Sequence, residues 1–583
     1  GQGRLSREAL LFATAATQDG GPAAVLGVVG TTVLGRLLSQ LASLGVRRAW
    51  VVTRPAWRSA VEEAAAAGGL DATVVDSEGV GDDLALTGEI AGQARGPLII
   101  GNAHVLTHRE ALAGLLADPR ILSGALVAGS ALKAPWAFAV RLRRARVVSA
   151  ASPYHRVKGG SGHFLGVMKV DARDRERLVT ASRELAELAA DRPRSWDAEF
   201  ERKAGEWRLR GWGAEVERET GIAPDPEDAP KLESIRLDAA AEAELELRRR
   251  VAADDPLPLL LVGLVRADVD LFPSNLRQFF YATPVSTEAA QVAVDELGRS
   301  DEDRVLLESA VKANDGFFTT YFVSPYSKYL ARFAARRRLT PNQISTLSFA
   351  IGLAAAASFA VGSRASLIAG AVLLQISFTV DCVDGQLARY TRTFSKLGAW
   401  LDSVFDRTKE YVVYAGLALG ARGFGEDVWL LAAAALTLQT VRHVSDFAYI
   451  ATQRHALGST TTVPLDQPGD QALADAIEAR GPQVAAPGAA QPDPTPRERL
   501  LRGAIAAVGR LRRSSLLRWG NKIIRMPIGE RFALISLTAA IATPRVTFIA
   551  LLAWGAVAAV YALTVRILVS YALPRRLVRA VLG

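Results

Sequence analysis

The sequence predicts an α-helical integral membrane domain with six transmembrane helices, preceded by a cytoplasmic α/β domain. Three observations carry this reading. Ala/Leu/Val-rich segments take over from about Leu339, where the first ~310 residues alternate charged and apolar stretches. Four aspartates at fixed spacing lie inside some of the most apolar sequence in the chain. Short apolar runs in the first half are separated by a stretch of helical periodicity. Overall, charged residues are 22% and apolar residues 50%, ordinary for a soluble protein, so the average hides this shift. At 583 residues the chain is too long for one compact domain. The expected division is a cytoplasmic domain at 1–310, a linker and amphipathic juxtamembrane helix at 311–340, and the six-span domain at 341–577. A cytoplasmic insertion is expected at about 452–526.

In the first domain, residues 10–14 and 50–53 read as strands, with a helix over 33–44 between them. Residues 98–100 form another buried-strand candidate, ending at Gly101-Asn102. Together they indicate an α/β domain with a mostly parallel sheet. Residues 194–315 read as mainly helical and charged, broken by a Pro/Asp-rich segment at 223–230. Residues 257–265 are expected as a strand returning to the sheet. Lys158-Gly159-Gly160-Ser161-Gly162 reads as a flexible turn rather than a phosphate loop, because short Gly motifs are weak signals.

The six spans are read at 344–361, 367–383, 399–419, 428–450, 532–541 with its flanks, and 546–573. The third and fifth are weak on hydropathy. The third carries Asp402, Asp406, Arg407, Lys409 and Glu410, which must face protein or water rather than lipid. Arg336, Arg337, Arg338, Arg389, Arg392, Lys396, the arginines before Pro527, and Arg575, Arg576 and Arg579 fall on one side. The positive-inside rule makes that side cytoplasmic. The expected location is the cell (inner) membrane, multi-pass, with the N-terminal domain, the aspartates and the C-terminus in the cytoplasm. Residues 325–338 and 497–525 read as basic amphipathic helices suited to the interface, and 456–496 as a disordered loop. The net charge of +9 fits anchoring at an anionic bilayer, and no nucleic-acid motif accompanies it. The single cysteine, Cys382, excludes an intrachain disulfide. Residues 1–7 are polar and the apolar run at 9–16 is short, so no signal peptide is expected.

Asp381 and Asp384 are three apart, and Asp402 and Asp406 four apart, so each pair shares a helix face. A turn at 391–396 folds the two helices side by side and brings four carboxylates together. Such charge needs cations. Hard divalent ions prefer oxygen ligands and bridge phosphates, and two of them can clamp both oxygens of a phosphoryl displacement. Gly385 and Ala388 leave room for a nucleotide, and Arg389 can pair a phosphate.

The pattern D-x2-D-G-x2-A-R-x8-G-x3-D-x3-D is met at every fixed position between Asp381 and Asp406. It resembles the signature of the CDP-alcohol phosphotransferase family. The resemblance covers about 314–573. It implies an enzyme in which an acceptor hydroxyl displaces CMP from a CDP-alcohol. It implies metal ligation by Asp381, Asp384, Asp402 and Asp406, with two Mg²⁺ or Mn²⁺ ions, and makes Asp406 also the general base. Gly385, Ala388 and Arg389 would line the CDP site, and Thr340-Pro341-Asn342 resembles the start of the family's first span. The run SKLGAWLDSVFDRTKEY is similar to the inositol-phosphate branch, whose acceptor is phosphorylated. Candidates for that phosphate are Arg442, His443 and Arg531. For Arg442 a salt bridge to Asp446 weighs equally. The donor is expected to be CDP-diacylglycerol or CDP-inositol-like, the acceptor a polyol or polyol phosphate, and the protein a homodimer in the bilayer. A non-catalytic metal-binding membrane regulator is the contrasting reading.

The first domain resembles sugar-nucleotidyltransferases, Val28-Val29-Gly30 matching their V-x-G turn. That family's Gly-rich loop falls at residues 15–22, here AATQDGGP without its Arg. Its lysine falls near Ala23, and its metal-binding aspartate near Asn102. These departures favour a degenerate, non-catalytic nucleotidyltransferase-like domain. A bifunctional enzyme with an active cytidylyltransferase domain is the alternative.

Overall fold

The computed structural model describes residues 7–118, 121–129, 136–143, 146–155, 157, 160–191, 200–201, 203–205, 208, 239–311, 316–455, 519–520 and 523–567. Its contacts divide the chain into two units that part between Val305 and Leu306. Outside the described residues lie the break at 223–230, Lys158, Gly159, Asn314, Asp315, the loop at 456–496, most of the basic stretch at 497–525, and Arg575, Arg576 and Arg579.

The first unit opens with β1 (Arg7–Ala13), α1 (Val33–Ser43), β2 (Val46–Thr53), α2 (Arg58–Ala66), β3 (Asp71–Asp76), α3 (Val80–Gln93) and β4 (Leu98–Asn102). β1 and β4 are buried almost throughout, as strands covered on both faces are. The Thr32 hydroxyl starts α1 by accepting from Gly35 N at 3.0 Å. α4 (Arg109–Leu116), β5 (Ser123–Gly129), β6 (Phe138–Arg143), β7 (Arg146–Ala150), β8 (Gly162–Val170), α5 (Arg175–Asp191), α6 (Ala239–Ala253), α7 (Leu257–Arg266), β9 (Leu271–Asn275) and α8 (Thr287–Arg299) follow, and α9 (Glu302–Ala310) straddles the division. The strand order is β7-β6-β8-β4-β1-β2-β3, with β5 paired to β8 and β9. β1, β2, β3 and β4 are parallel, but β8 runs antiparallel to β4, β5 and β6. The sheet is therefore mixed rather than mostly parallel.

The expected strand at 257–265 is a helix, α7. Its ten residues are all buried, and Asp255 starts it by accepting from Leu257 N at 2.9 Å. A continuous apolar run fits a buried helix as well as a buried strand, so periodicity cannot decide. Of the expected turn at 158–162, Ser161 lies against β6, where its hydroxyl accepts from Leu142 N at 2.7 Å.

The second unit holds α10 (Ser324–Arg336), α11 (Pro341–Ala360), α12 (Arg364–Thr391), α13 (Lys396–Gly420), α14 (Trp429–His455), α15 (Ile528–Ile541) and α16 (Pro544–Ile567). Helices stand at all six expected spans. Among the described residues, three are long and apolar enough to cross a membrane: Pro341–Ala360, Arg364–Thr391 and Pro544–Arg566. α15, at 14 residues, extends only about 21 Å against a hydrocarbon core of about 30 Å. α10 is amphipathic as expected, burying Ser327, Ala331 and Ala334 and exposing Tyr326, Tyr329 and Phe333. Thr340 caps α11 in a capping box with Gln343, and Pro341 takes the first helical position.

α11 and α13 approach each other closely because α13 carries glycine at its contact positions. A methyl group on Gly416 would strike the Ala356 carbonyl oxygen, and one on Gly420 that of Phe359. We expect Gly416→Ala to cost roughly 1–3 kcal/mol by forcing the helices apart. Thermal inactivation followed by size-exclusion chromatography in detergent tests this, and an unchanged midpoint would show that the helices re-space freely.

Candidate active site

α12 delivers Asp381 and Asp384 in its last three turns and ends at Thr391, with Arg392 in the left-handed conformation at φ 58°. Ser395 starts α13, its hydroxyl accepting from Gly398 N at 2.7 Å. This short connection returns the chain so that α13 lays Asp402 and Asp406 beside α12. Gly398 has a second role: a side chain there would meet Asn342 Oδ1 at 2.7 Å. The motif glycine thus admits the start of α11 against α13.

Oxygens of Asp381, Asp384 and Asp402 lie within 4.8 Å of one another. Three carboxylates at that separation form a hard donor set that fits Mg²⁺ or Mn²⁺. α11 supports them. The Ser345 hydroxyl donates to Asp384, which is buried, and the Ser348 hydroxyl lies 3.0 Å from Asp381 Oδ1. Asp406 stands outside that trio but against Asp381. Its Oδ1 is 3.3 Å from Nζ of Lys409, a fully buried residue whose ammonium also donates to Asp381 and Ser348. Sequence reading placed Lys409 away from lipid but gave it no role. Its position three residues after Asp406, on the same helix face, was the available signal.

Gly385 and Ala388 lie on α12, but the space above Gly385 holds Arg389. A side chain at 385 would meet the Arg389 guanidinium at 3.3 Å. Arg389 also donates to the Ala310 carbonyl. The three acceptor candidates part company. Arg531 is buried and pairs with Glu410, Nε 3.0 Å from one oxygen and Nη2 3.2 Å from the other. His443 Nε2 lies 2.7 Å from the Gln439 amide. Arg442 donates to the Arg525 carbonyl at 2.9 Å and lines a cavity of about 540 Å³ with Arg525 and Arg566. Of the two readings of Arg442, the ion pair to Asp446 is not formed: Asp446 pairs with Arg566 on α16, and Arg442 donates to the Arg525 carbonyl.

In the first unit, Asn102 ends β4 and donates to Asp255 at 2.9 Å. Gly166, at φ +63° in a bulge of β8, makes room: a side chain there would strike the Asn102 amide. Residues 15–22 close on themselves, Thr17 N donating to Gly21 O at 2.7 Å. A cavity of about 90 Å³ lies at the ends of β1 and β4, lined by Thr14, Asn102, His104, Arg248, Asp255 and Tyr281 among others. His104 is buried there with no hydrogen bond to Nδ1 among the described residues.

These geometries define a chain with an α/β unit and a helical unit whose carboxylates converge. Residues 338–465 match the family model of the CDP-alcohol phosphatidyltransferases. It is 33% identical over 175 residues to a bifunctional IPC transferase and DIPP synthase of Thermococcus kodakarensis, covering 28% of this chain and 39% of that one. It is 38% identical over 82 residues to an archaetidylinositol phosphate synthase of Pyrococcus horikoshii, 14% and 42% of the two chains. Against a phosphatidylinositol phosphate synthase of Streptomyces avermitilis the figures are 30% over 128 residues, 22% and 50%. The chain thus spans half or less of each of these relatives. The inositol-1-phosphate CTP transferase from T. maritima overlies 51% of this chain and 98% of its own, at 13% identity and a TM-score of 0.32.

The Asn102–Asp255 pair yields a pH prediction. Burial raises the Asp255 carboxyl to about 6, against lesser opposing effects of the Asn102 and Leu257 hydrogen bonds. A carboxyl raised on folding stabilises below its unfolded value near 4 and loses that contribution as pH climbs through 6, on the order of 3 kcal/mol. We expect Asp255→Asn to flatten the fall in melting temperature between pH 4.5 and 7, measured calorimetrically on the whole chain. A variant curve parallel to that of the unmodified protein would refute this.

Proposed function

We propose that this protein is an integral-membrane transferase in which an acceptor hydroxyl displaces CMP from a CDP-alcohol, forming a phosphodiester. The observation that carries the reading is the convergence of Asp381, Asp384 and Asp402 beside Asp406, within the family-matched segment. Asp381, Asp384 and Asp402 would hold a divalent cation, which when bound offsets phosphate charge and polarises the phosphoryl group. Asp406 takes the acceptor proton. The acceptor oxygen bonds to the phosphorus that carries the alcohol, the bridging P–O bond breaks, and CMP leaves with the electron pair. Asp406 suits the role of base because it stands outside the three-carboxylate group yet one helical turn from Asp402.

Membrane embedding is supported by the three long apolar helices and by exposed Val372, Ile376, Leu430, Val557, Val560 and Leu563 on the outer faces. On this reading α13, α14 and α15 cross as well, and the arginine-rich ends lie in the cytoplasm. We further propose a phosphorylated polyol acceptor, held by Arg442 with Arg525 and Arg566. The names of the relatives that share this segment support an inositol-type acceptor. The hydrogen bond from Asn102 to Asp255 supports a first unit without nucleotidyl transfer, since the amide is engaged as a donor, which an ionised carboxylate cannot be.

Purified protein with Mg²⁺ or Mn²⁺, CDP-diacylglycerol or CDP-inositol, and inositol phosphate should release CMP. Asp406→Asn should lower the rate at least about 100-fold, the scale of general-base loss. Absence of CMP with every donor, or an undiminished rate in that variant, defeats the proposal. Arg442→Ala should raise the KM for the phosphorylated acceptor about tenfold, as loss of one charge-assisted contact does. An equal effect on the KM for the CDP-donor would move Arg442 out of the acceptor site.

A further inference from the structure

The second cation of the aspartate cluster is built into the chain. We propose that Lys409 holds the place between Asp381 and Asp406, so that the cluster takes one divalent ion, on Asp381, Asp384 and Asp402, rather than two. The inference rests on the metal-dependent reading of the aspartates given above.

Three observations support it. First, the four carboxylates divide unequally. Asp381, Asp384 and Asp402 bring oxygens within 4.8 Å of one another, whereas Asp406 stands outside that trio, against Asp381 and the ammonium. Second, Lys409 is fully buried, and its ammonium meets Asp381, Asp406 and the Ser348 hydroxyl. An ion bridging Asp381 and Asp406 would have to share that space with a fixed positive charge. Third, α11 is shaped to receive the lysine. A side chain at Gly352 would stand 2.9 Å from both Cγ and Cδ of Lys409, and Ser348, one turn earlier on the same face, meets its end. A slot for the stem and a hydroxyl for the head make this a seated cation rather than a surface lysine folded inward.

Lys409 acts through Asp381 and Asp406 and is a positioning residue. It fixes the Asp406 carboxylate beside the three-carboxylate group and leaves that carboxylate off the metal, where it can accept a proton.

The test counts ions. Whole protein in detergent is titrated with Mn²⁺, and bound ions are measured by electron paramagnetic resonance, with the count of Asp381→Asn/Asp402→Asn subtracted. One Mn²⁺ per chain, without the broadening of a dipolar-coupled pair, is expected. Lys409→Met keeps the length of the side chain and removes its charge, and is expected to raise the count to two with coupling. Two coupled ions in the unmodified protein overturn the inference while leaving the transferase reading intact. An unchanged count of one in folded Lys409→Met also overturns it. No bound Mn²⁺ in the unmodified protein overturns both. If Lys409→Met fails to fold, the count in the unmodified protein decides alone.

Discussion

The helical unit is arranged around carboxylates placed inside an apolar bundle. An ionised carboxylate there is expensive unless it is paired and hydrogen-bonded. The helices answer with matched polar positions. α11 is apolar outside but lines up Ser345, Ser348 and Gly352 toward the site, the two serines for Asp384 and Asp381 and the glycine for the stem of Lys409. α12 and α13 supply the acids, and α13 supplies the internal cation. Removing any one of these leaves a buried charge without its partner, which is more costly than never having built the pair.

The same requirement runs on along α13. One turn beyond Asp406, Glu410 is fully buried and meets Arg531 from α15, while the Tyr414 hydroxyl donates to it at 2.9 Å. Asp402, Asp406, Lys409, Glu410 and Tyr414 thus form one polar ladder on the inner face of a helix. Its outer positions, Trp400 and Val404 among them, are exposed and apolar. This ladder ties α13 to α11 and α12 at the aspartates and to α15 at Glu410. The connections depend on close approach, which Gly398, Gly416 and Gly420 permit on α13.

The sequence made the aspartate motif, the helical positions and the start of α11 legible because each depends on local rules: spacing on a face, capping by Thr340, apolar run length. The roles of Gly385, Arg389 and Arg531 were not legible. Each depends on which distant group fills the neighbouring space, and here Arg389 covers Gly385 while Glu410 meets Arg531. Hydropathy also understates α13, because a window average counts the ladder as polar without knowing that it faces inward. In the first unit, β1, β2 and β4 were readable as buried runs. The antiparallel strand β8 and the helix α7 were not, since strand direction and the state of a continuous apolar run are set by tertiary packing rather than by periodicity.

The two units bury carboxylates by opposite means. In the helical unit, Asp381 and Asp406 are met by the ammonium of Lys409. In the first unit, Asp255 is held by the amide of Asn102 and the backbone of Leu257, neutral donors that do not repay the cost of burying an anion, and its carboxyl is pushed up to about 6. A second acid in place of Asn102 would set two buried carboxylates against each other. Asn102 is thus fitted to Asp255 as Lys409 is fitted to Asp381 and Asp406, and the bulge at Gly166 that admits its amide belongs to the same fit. Neutral donors meet the buried carboxylate at one site, and an ammonium meets the carboxylates at the other.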